Sequence, residues 1–181
     1  RVVRLKGGDP CVFGRGGEEA AACRSAGIPF QIIPGVSSVS AAPAYAGIPV
    51  THRATNSSYI VVTGHERAED EGRRVDWASL ARSDASIVVL MGVLQAPRWT
   101  SDLLEGGLAG DTPLVWIERA TTPAQRSVVT TLADAVKARD EHGVRPPAIA
   151  LVGEVVRWRE DLAWFETLPL RGQVIATTRS V

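Results

Sequence analysis

Apolar positions along the chain fall into short β-branched runs that alternate with alanine-rich segments. VVRLKG, FQIIPG, YIVVTG, SIVVLM, PLVWIE, RSVVTTL and PAIALVG each have the length and Val/Ile content of a strand. Between them, residues 16–26, 37–47, 95–105 and 131–141 predict helices, and Asp76 is placed as the N-cap of a short one. Two helices close on the same sequence, Gly27-Ile28-Pro29 and Gly47-Ile48-Pro49. Glycine past the last turn takes the left-handed conformation that ends a helix, and proline cannot continue it. The repeat is shared end chemistry, not an internal duplication. Residues 65–75 predict a solvated charged loop, REDLAWFETLPL (159–170) a last helix, and RGQVIATTRSV the start of a further strand. Strand and helix alternate as in an α/β protein.

The polar stretch THRATNSS, 51–58, divides this pattern. Residues 1–51 hold two strands and two helices, 52–58 a linker, and 59–168 five strands and three helices, enough for an α/β unit of its own. Residues 169–181 read as a linker and the beginning of another domain. Two strands are too few for a parallel sheet covered on both faces. The first unit is therefore expected to be the C-terminal part of a larger α/β domain, and the chain reads as cut at both ends.

Composition narrows the function classes. The 181 residues are 45% hydrophobic and 22% charged, with zero formal net charge, which disfavours a nucleic-acid binder or a polybasic membrane anchor. No apolar run approaches the ~18 residues of a membrane span, and no signal peptide is visible. Cys11 and Cys23 are too few for a disulfide framework and lack C-x-x-C spacing, so reduced thiols in a cytoplasmic setting are expected. His52, His65 and His142 are too scattered to spell a zinc site.

What remains is the glycine. Five of the eleven residues from Gly7 to Gly17 are glycine. The pattern is neither G-x-G-x-x-G nor a phosphate loop, because Lys6 precedes the glycines. Glycine before a helix serves either a tight turn or the close approach of backbone to a ligand, and the residues leave both open. LKGGDP and IIPGVSS are both strand-to-helix junctions, however, and ligands of open α/β sheets sit at that edge. Two such junctions favour a site.

VVRLKGGDPCVFGRGGEEA, IPGVSSVSAAPAYAGIPVTHR and VVTGHE closely resemble the tetrapyrrole methylases. LMGV, PLVWIERATTPAQRSVV and PAIALVGEVV extend the likeness to about residue 168. The run from Arg4 to Glu19 is similar to the branch that methylates uroporphyrinogen III, since relatives acting on later corrin intermediates usually lack the full FGRGGEE. The resemblance implies a two-domain α/β tetrapyrrole methylase fold with the N-terminal domain truncated. It implies transfer of methyl groups from S-adenosylmethionine to ring carbons of uroporphyrinogen III, giving precorrin-2 for siroheme or cobalamin. Gly7, Gly8, Asp9 and Val12 match the family's cofactor loop, Ser37 and Ser38 its second junction, and Met91 and Ala120 its contacts from the second domain. Four positions depart from the pattern: Ser37-Ser38 stands where Thr-Ala is frequent, Ala120 where glycine is usual, and Cys11 where phenylalanine is common.

For a polycarboxylate substrate the resemblance assigns Arg15, Glu18 and Arg53. Arginine as such says little, because Lys6 and Lys137 are the only lysines among twenty basic residues. For Arg53 the blander alternative, given less weight, is a hinge salt bridge. Glu18 reads equally as a favourable charge at a helix N-terminus, worth ~0.3–1 kcal/mol. His52 is read as a structural hydrogen-bonder, and the five tryptophans as core or interface. The family further implies a homodimer and a preceding cofactor strand with its acid and base candidates, none of which lies between Arg1 and Val181. This chain alone is therefore expected to show no methyl transfer. The tail LRGQVIATTRSV resembles the first strand of a uroporphyrinogen-III synthase, as in a fused polypeptide. The alternatives are a non-catalytic binding or dimerisation module of the same fold, and a sibling methylase acting on another corrin precursor.

Overall fold

Strands β1 (Tyr59–Thr63), β2 (Ser86–Leu90), β3 (Pro113–Glu118), β4 (Arg126–Thr131) and β5 (Ala148–Val152) form one sheet in the computed structural model, which describes residues 2–65, 75–173 and 175–177. The order is β1-β2-β5-β3-β4. β1 and β2 are parallel, whereas β5 lies antiparallel to both β2 and β3, and β4 antiparallel to β3. The ends of β2 and β3 and the start of β5 therefore share one edge, where Glu118 pairs with Ala148.

Successive strand side chains point to opposite faces, and both faces of this sheet are dry. Ile87, Val89, Leu114, Trp116, Ala150 and Val152 enter one cluster; Val88, Leu90, Val115, Ile117, Ile149 and Leu151 enter another. That is why β2 and β3 are buried at every position and read as unbroken apolar runs.

Helices α3 (Trp77–Ala81), α4 (Ala96–Glu105) and α5 (Ala135–Glu141) cover the first face. Trp99 lies between Trp77 and Trp116, with ring centroids 6.1 and 5.7 Å away. The buried indoles of Trp99 and Trp116 donate to Gly92 O at 2.8 Å and Ala135 O at 3.0 Å, so neither N–H is left unpaired. Asp76 caps α3, its carboxylate accepting from Ser79 N at 3.0 Å and Ser79 Oγ at 2.6 Å. Helix α5 starts four residues later than the pattern predicts, since Thr131 still belongs to β4.

The second face is covered by α2 (Ser38–Tyr45), Ile48 and the 3-10 turn Glu154–Trp158, through Val39, Ala42, Ala46, Val155 and Val156. Helix α2, which the sequence groups with the first unit, thus packs on the sheet of the second. Between them, residues 52–58 form a closed turn. The Asn56 amide donates to Val50 O, Ser58 O and Ser86 Oγ at 3.1, 2.7 and 2.9 Å, and its oxygen accepts from His52 N at 3.0 Å. His52 Nδ1 accepts from Ala54 N, and its ring lies 3.8 Å from that of Trp158.

Helix α1 (Gly16–Ser25) buries only Gly16. VVRLKG and FQIIPG, expected as strands, are in no ladder among the described residues, and Val2, Val3, Ile32 and Ile33 are exposed. An apolar β-branched run becomes a strand only where another strand takes its backbone hydrogen bonds. The single helix expected over 159–170 is instead α6 (Arg159–Leu162), an extended Ala163 and a 3-10 turn Phe165–Thr167. Tertiary contacts break it: Trp164 Nε1 donates to Ala44 O at 3.0 Å, and the Tyr45 ring packs against both Trp164 and Phe165. The charged loop expected at 65–75 falls largely on 66–74, outside the described residues, as do 174 and 178–181 of the expected last strand. No helix among the described residues is long and apolar enough to cross a membrane.

Candidate functional site

The two glycine junctions meet. A methyl group on Gly35 would stand 2.5 Å from Gly8 O, and one on Gly8 would stand 3.4 Å from Val36 O and 3.8 Å from Ser37 Cα. Asp9 fastens this contact: one carboxylate oxygen accepts from Cys11 N at 2.8 Å and the other from Gly35 N at 3.1 Å. Asp9 therefore holds the loop shape and joins the junctions before it does anything for a ligand. Gly7 differs, because a methyl group there would meet nothing within 4 Å. Val12 closes the loop, its N–H donating to Asp9 O at 3.3 Å.

Lys6, which the sequence reading used only to exclude a phosphate loop, is the second brace. Its ammonium donates to Gly14 O at 2.7 Å and Glu19 at 2.6 Å, with its side chain 15% exposed. That hydrogen bond, with the charges of Lys6 and Arg4, holds the Glu19 carboxyl below its ordinary range. A lysine just before a glycine loop, with glutamates in the following helix, was the signal available in the sequence.

At the second junction, Ser37 is the N-cap of α2, its Oγ accepting from Val39 N at 3.3 Å, and Ser38 opens the helix. Val39 and Ala42 of that helix pack with Leu90, Ile117 and Ala120. Ala120 packs against this cluster, and Ser37-Ser38 opens the helix that enters it. Met91, next to Leu90, lies on the same sheet edge, about half exposed. The loop Gly7–Val12 joins this region through the contact of Gly8 with Val36 and Ser37.

Backbone strain concentrates on the same segments. Among the described residues, the non-glycine positions with positive φ are Phe13, Arg15, Met91, Arg119 and Thr121. Each such residue costs ~1–3 kcal/mol unless its surroundings impose it, and such residues cluster at ligand sites. Arg119 and Thr121 flank Ala120, whose own φ is not positive.

Arg15 and Glu18 pair with each other at 3.4 Å, both well exposed. They line a cavity of about 470 Å³ together with Arg4, Lys6, Phe13 and Glu19. Arg53 does not line it. Arg53 is exposed on the turn stapled by Asn56 and forms no ion pair among the described residues. The three substrate candidates are therefore not brought into one cavity. Sequence reasoning missed Gln125, fully buried, whose side chain bonds Thr121 N, Tyr45 O and Glu166, the last two far along the chain. No group of three His, Cys, Asp or Glu side chains suited to a metal ion occurs among the described residues.

Gly7 has open space around it, Met91 is about half exposed with left-handed backbone, and Ser37, Ser38 and Ala120 are small.

Residues 1–136 match the family described as Tetrapyrrole (Corrin/Porphyrin) Methylases. The chain is 48% identical over 161 residues to the S-adenosyl-L-methionine-dependent uroporphyrinogen III methyltransferase of Methanosarcina barkeri, covering 89% of this chain and 63% of that protein. It is 46% identical over 166 residues to the siroheme synthase of Azotobacter vinelandii, covering 92% of this chain and 35% of the other. Among solved structures, the uroporphyrin-III C-methyl transferase of Thermus thermophilus complexed with S-adenyl homocysteine superposes with a TM-score of 0.74 at 41% identity, over 86% of this chain and 64% of that one. A cobalt precorrin-4 methyltransferase superposes with a TM-score of 0.75 at 28% identity. The chain thus spans under two thirds of the length of each of these proteins for which it covers 63%, 35% and 64%. With a family match over residues 1–136 and this sheet beneath it, the chain belongs to the tetrapyrrole (corrin/porphyrin) methylases.

Proposed function

We propose that this chain carries much of the cofactor site and part of the substrate site of an S-adenosylmethionine-dependent uroporphyrinogen-III C-methyltransferase, an enzyme producing precorrin-2 for siroheme or cobalamin. The observation that carries the reading is the meeting of the two glycine junctions, with Gly7 left open beside them. The names of the relatives reported above supply the substrate and the reaction class.

Bound there, S-adenosylmethionine supplies a methyl group on a positively charged sulfur, open to in-line attack by a carbon nucleophile. The protein's contribution to such a transfer is mainly positioning. Gly7, Gly8 and Met91 offer backbone at close range, Ser37 and Ser38 a small polar wall, and Ala120 a small apolar one. Asp9 and Lys6 keep the loop in shape. Arg15 and Arg53 present guanidinium groups for substrate carboxylates, which they bind as two-pronged donors. Homodimer formation, a cytoplasmic setting and a fused synthase domain after residue 168 belong to the same reading; they rest on the family resemblance, the composition and the tail sequence.

The test uses the complete polypeptide with uroporphyrinogen III and S-adenosylmethionine, followed by mass spectrometry. The expected product is the substrate plus added methyl groups. Methyl transfer only to a later corrin precursor would move the reading to a sibling enzyme. Cofactor binding without any transfer would favour a non-catalytic module.

A further inference from the structure

We infer that Gln125 is a positioning residue for the cofactor site, locking the turn that carries Ala120 to the helix that begins at Ser37-Ser38. The inference rests on the proposed cofactor reading and adds a residue to it.

The turn after β3 is built from backbone that resists its own shape. Arg119 and Thr121 have φ of 47° and 69°, and Thr121 is β-branched, which makes the left-handed conformation least comfortable there. Something must hold it. Thr122 Oγ1 donates to Arg119 O at 2.7 Å, and the Thr121 amide donates to Gln125 Oε1 at 2.8 Å. The other end of the same carboxamide donates to Tyr45 O at 3.1 Å, at the last residue of α2, and to Glu166 at 2.9 Å. All three contacts agree on which end is oxygen and which nitrogen. Gln125 is 0% exposed, so none of these bonds competes with water.

The consequence follows from which segments are tied. Ala120 sits between the two left-handed residues. The helix ending at Tyr45 opens with Ser37-Ser38, and Val39 and Ala42 anchor it in the cluster on the sheet's second face. One buried side chain therefore fixes the spacing between two parts of the cofactor site without touching the ligand. Without it, Thr121 is free to return to ordinary φ and Ala120 moves with it.

Three variants of the complete polypeptide test this by calorimetry with S-adenosylhomocysteine, alongside thermal denaturation. Gln125→Met keeps length and volume but makes none of the three bonds. Its affinity is expected to fall about tenfold or more, with the KM for S-adenosylmethionine rising and kcat changing less. Glu166→Gln is the control: it keeps an acceptor for Gln125 and loses the charge, so it is expected to lower stability while affinity stays within about twofold. Adding Thr121→Gly to Gln125→Met removes the strain and is expected to recover part of the lost affinity. If Gln125→Met does not fold, Gln125→Asn, too short to span Thr121 and Tyr45, replaces it with the same expected loss. Unchanged affinity in the Gln125 variant, or equal losses in the Gln125 and Glu166 variants, would overturn the inference. Failure of the unmodified protein to bind S-adenosylhomocysteine would instead overturn the cofactor reading itself.

Discussion

A methyl group at Gly35 would strike Gly8 O at 2.5 Å, whereas at Gly7 it would meet nothing within 4 Å. The first glycine is needed by the protein, and the second is not. Gly7→Val is therefore expected to leave the thermal midpoint nearly unchanged, within ~0.5 kcal/mol, and to abolish S-adenosylhomocysteine binding in the complete polypeptide. Gly35→Ala should lower the midpoint as well, because two backbones must separate. Calorimetry and a melting curve on both variants check this, and binding by Gly7→Val at unchanged strength would show that the open space is not where the ligand sits. Gly8→Val is less informative, since its side chain would press on Val36 and Ser37. The arginines make a second contrast. Arg53→Ala and Arg15→Ala are expected to weaken uroporphyrinogen III binding about tenfold each while S-adenosylhomocysteine affinity holds. Loss of cofactor affinity in either variant would place that arginine at the wrong ligand.

Among the elements, the segment after α6 depends most on charge. Glu166, 9% exposed, takes hydrogen bonds from Ser127, Gln125 at 2.9 Å and Arg159 at 2.7 Å, and Arg171 reaches its backbone oxygen at 3.2 Å. Burial pushes its carboxyl up, but the hydrogen bonds from Ser127 and Gln125 and the charges of Arg159 and Arg171 outweigh that and hold it below its ordinary 4.5. A depressed carboxylate stabilises the fold above its unfolded value and loses that contribution as pH falls through the folded one. Glu166→Gln should accordingly cost ~2 kcal/mol near neutral pH, with the difference from the unmodified protein closing progressively below pH 4.5. Melting curves from neutral pH downward check both parts; a constant difference would rule out the charge as its source. This network also marks the limit of what the sequence spells out. Strands β1 to β5 and helices α1, α2 and α4 follow from runs of Val and Ile and from glycine ends, which are local chemistry. VVRLKG and FQIIPG carry the same local chemistry and lack partners, so the same rule overreads them. The site divides in the same way. Gly7, Gly8, Ser37 and Ser38 are legible as junctions, and Met91 and Ala120 only by resemblance. Gln125 and Glu166 are 41 residues apart, and nothing near either one names the other.

For the whole molecule, cover is unequal. Of residues 2–36 only Gly16 is buried, whereas α2, strands β1 to β5, helices α3 to α5 and the 3-10 turn Glu154–Trp158 all contribute to two clusters. In the 181-residue chain, trypsin is expected to cut at Arg4, Lys6, Arg15 and Arg24 well before sites inside the sheet. No lysine or arginine lies between Arg24 and Arg53, so the protected tryptic piece should begin at Ser25 and not at Ala54, because Val39, Ala42, Ala46 and Ile48 belong to the sheet's second face. Timed digestion with mass spectrometry locates that start, and early cleavage at Arg53 with loss of α2 would show that the helix is not docked. The distribution of tryptophans offers a separate optical consequence. Trp99 and Trp116 sit at 1% and 0% exposure on the face covered by α4 and α5, while Trp164 is 46% exposed, its ring tilted against Tyr45 at the end of α2. Iodide should quench the red edge of the emission, from Trp164, and spare the blue edge. Undocking of α2 would then appear as a change at the red edge alone, giving the chain an internal gauge that distinguishes loosening of one face from collapse of the whole sheet.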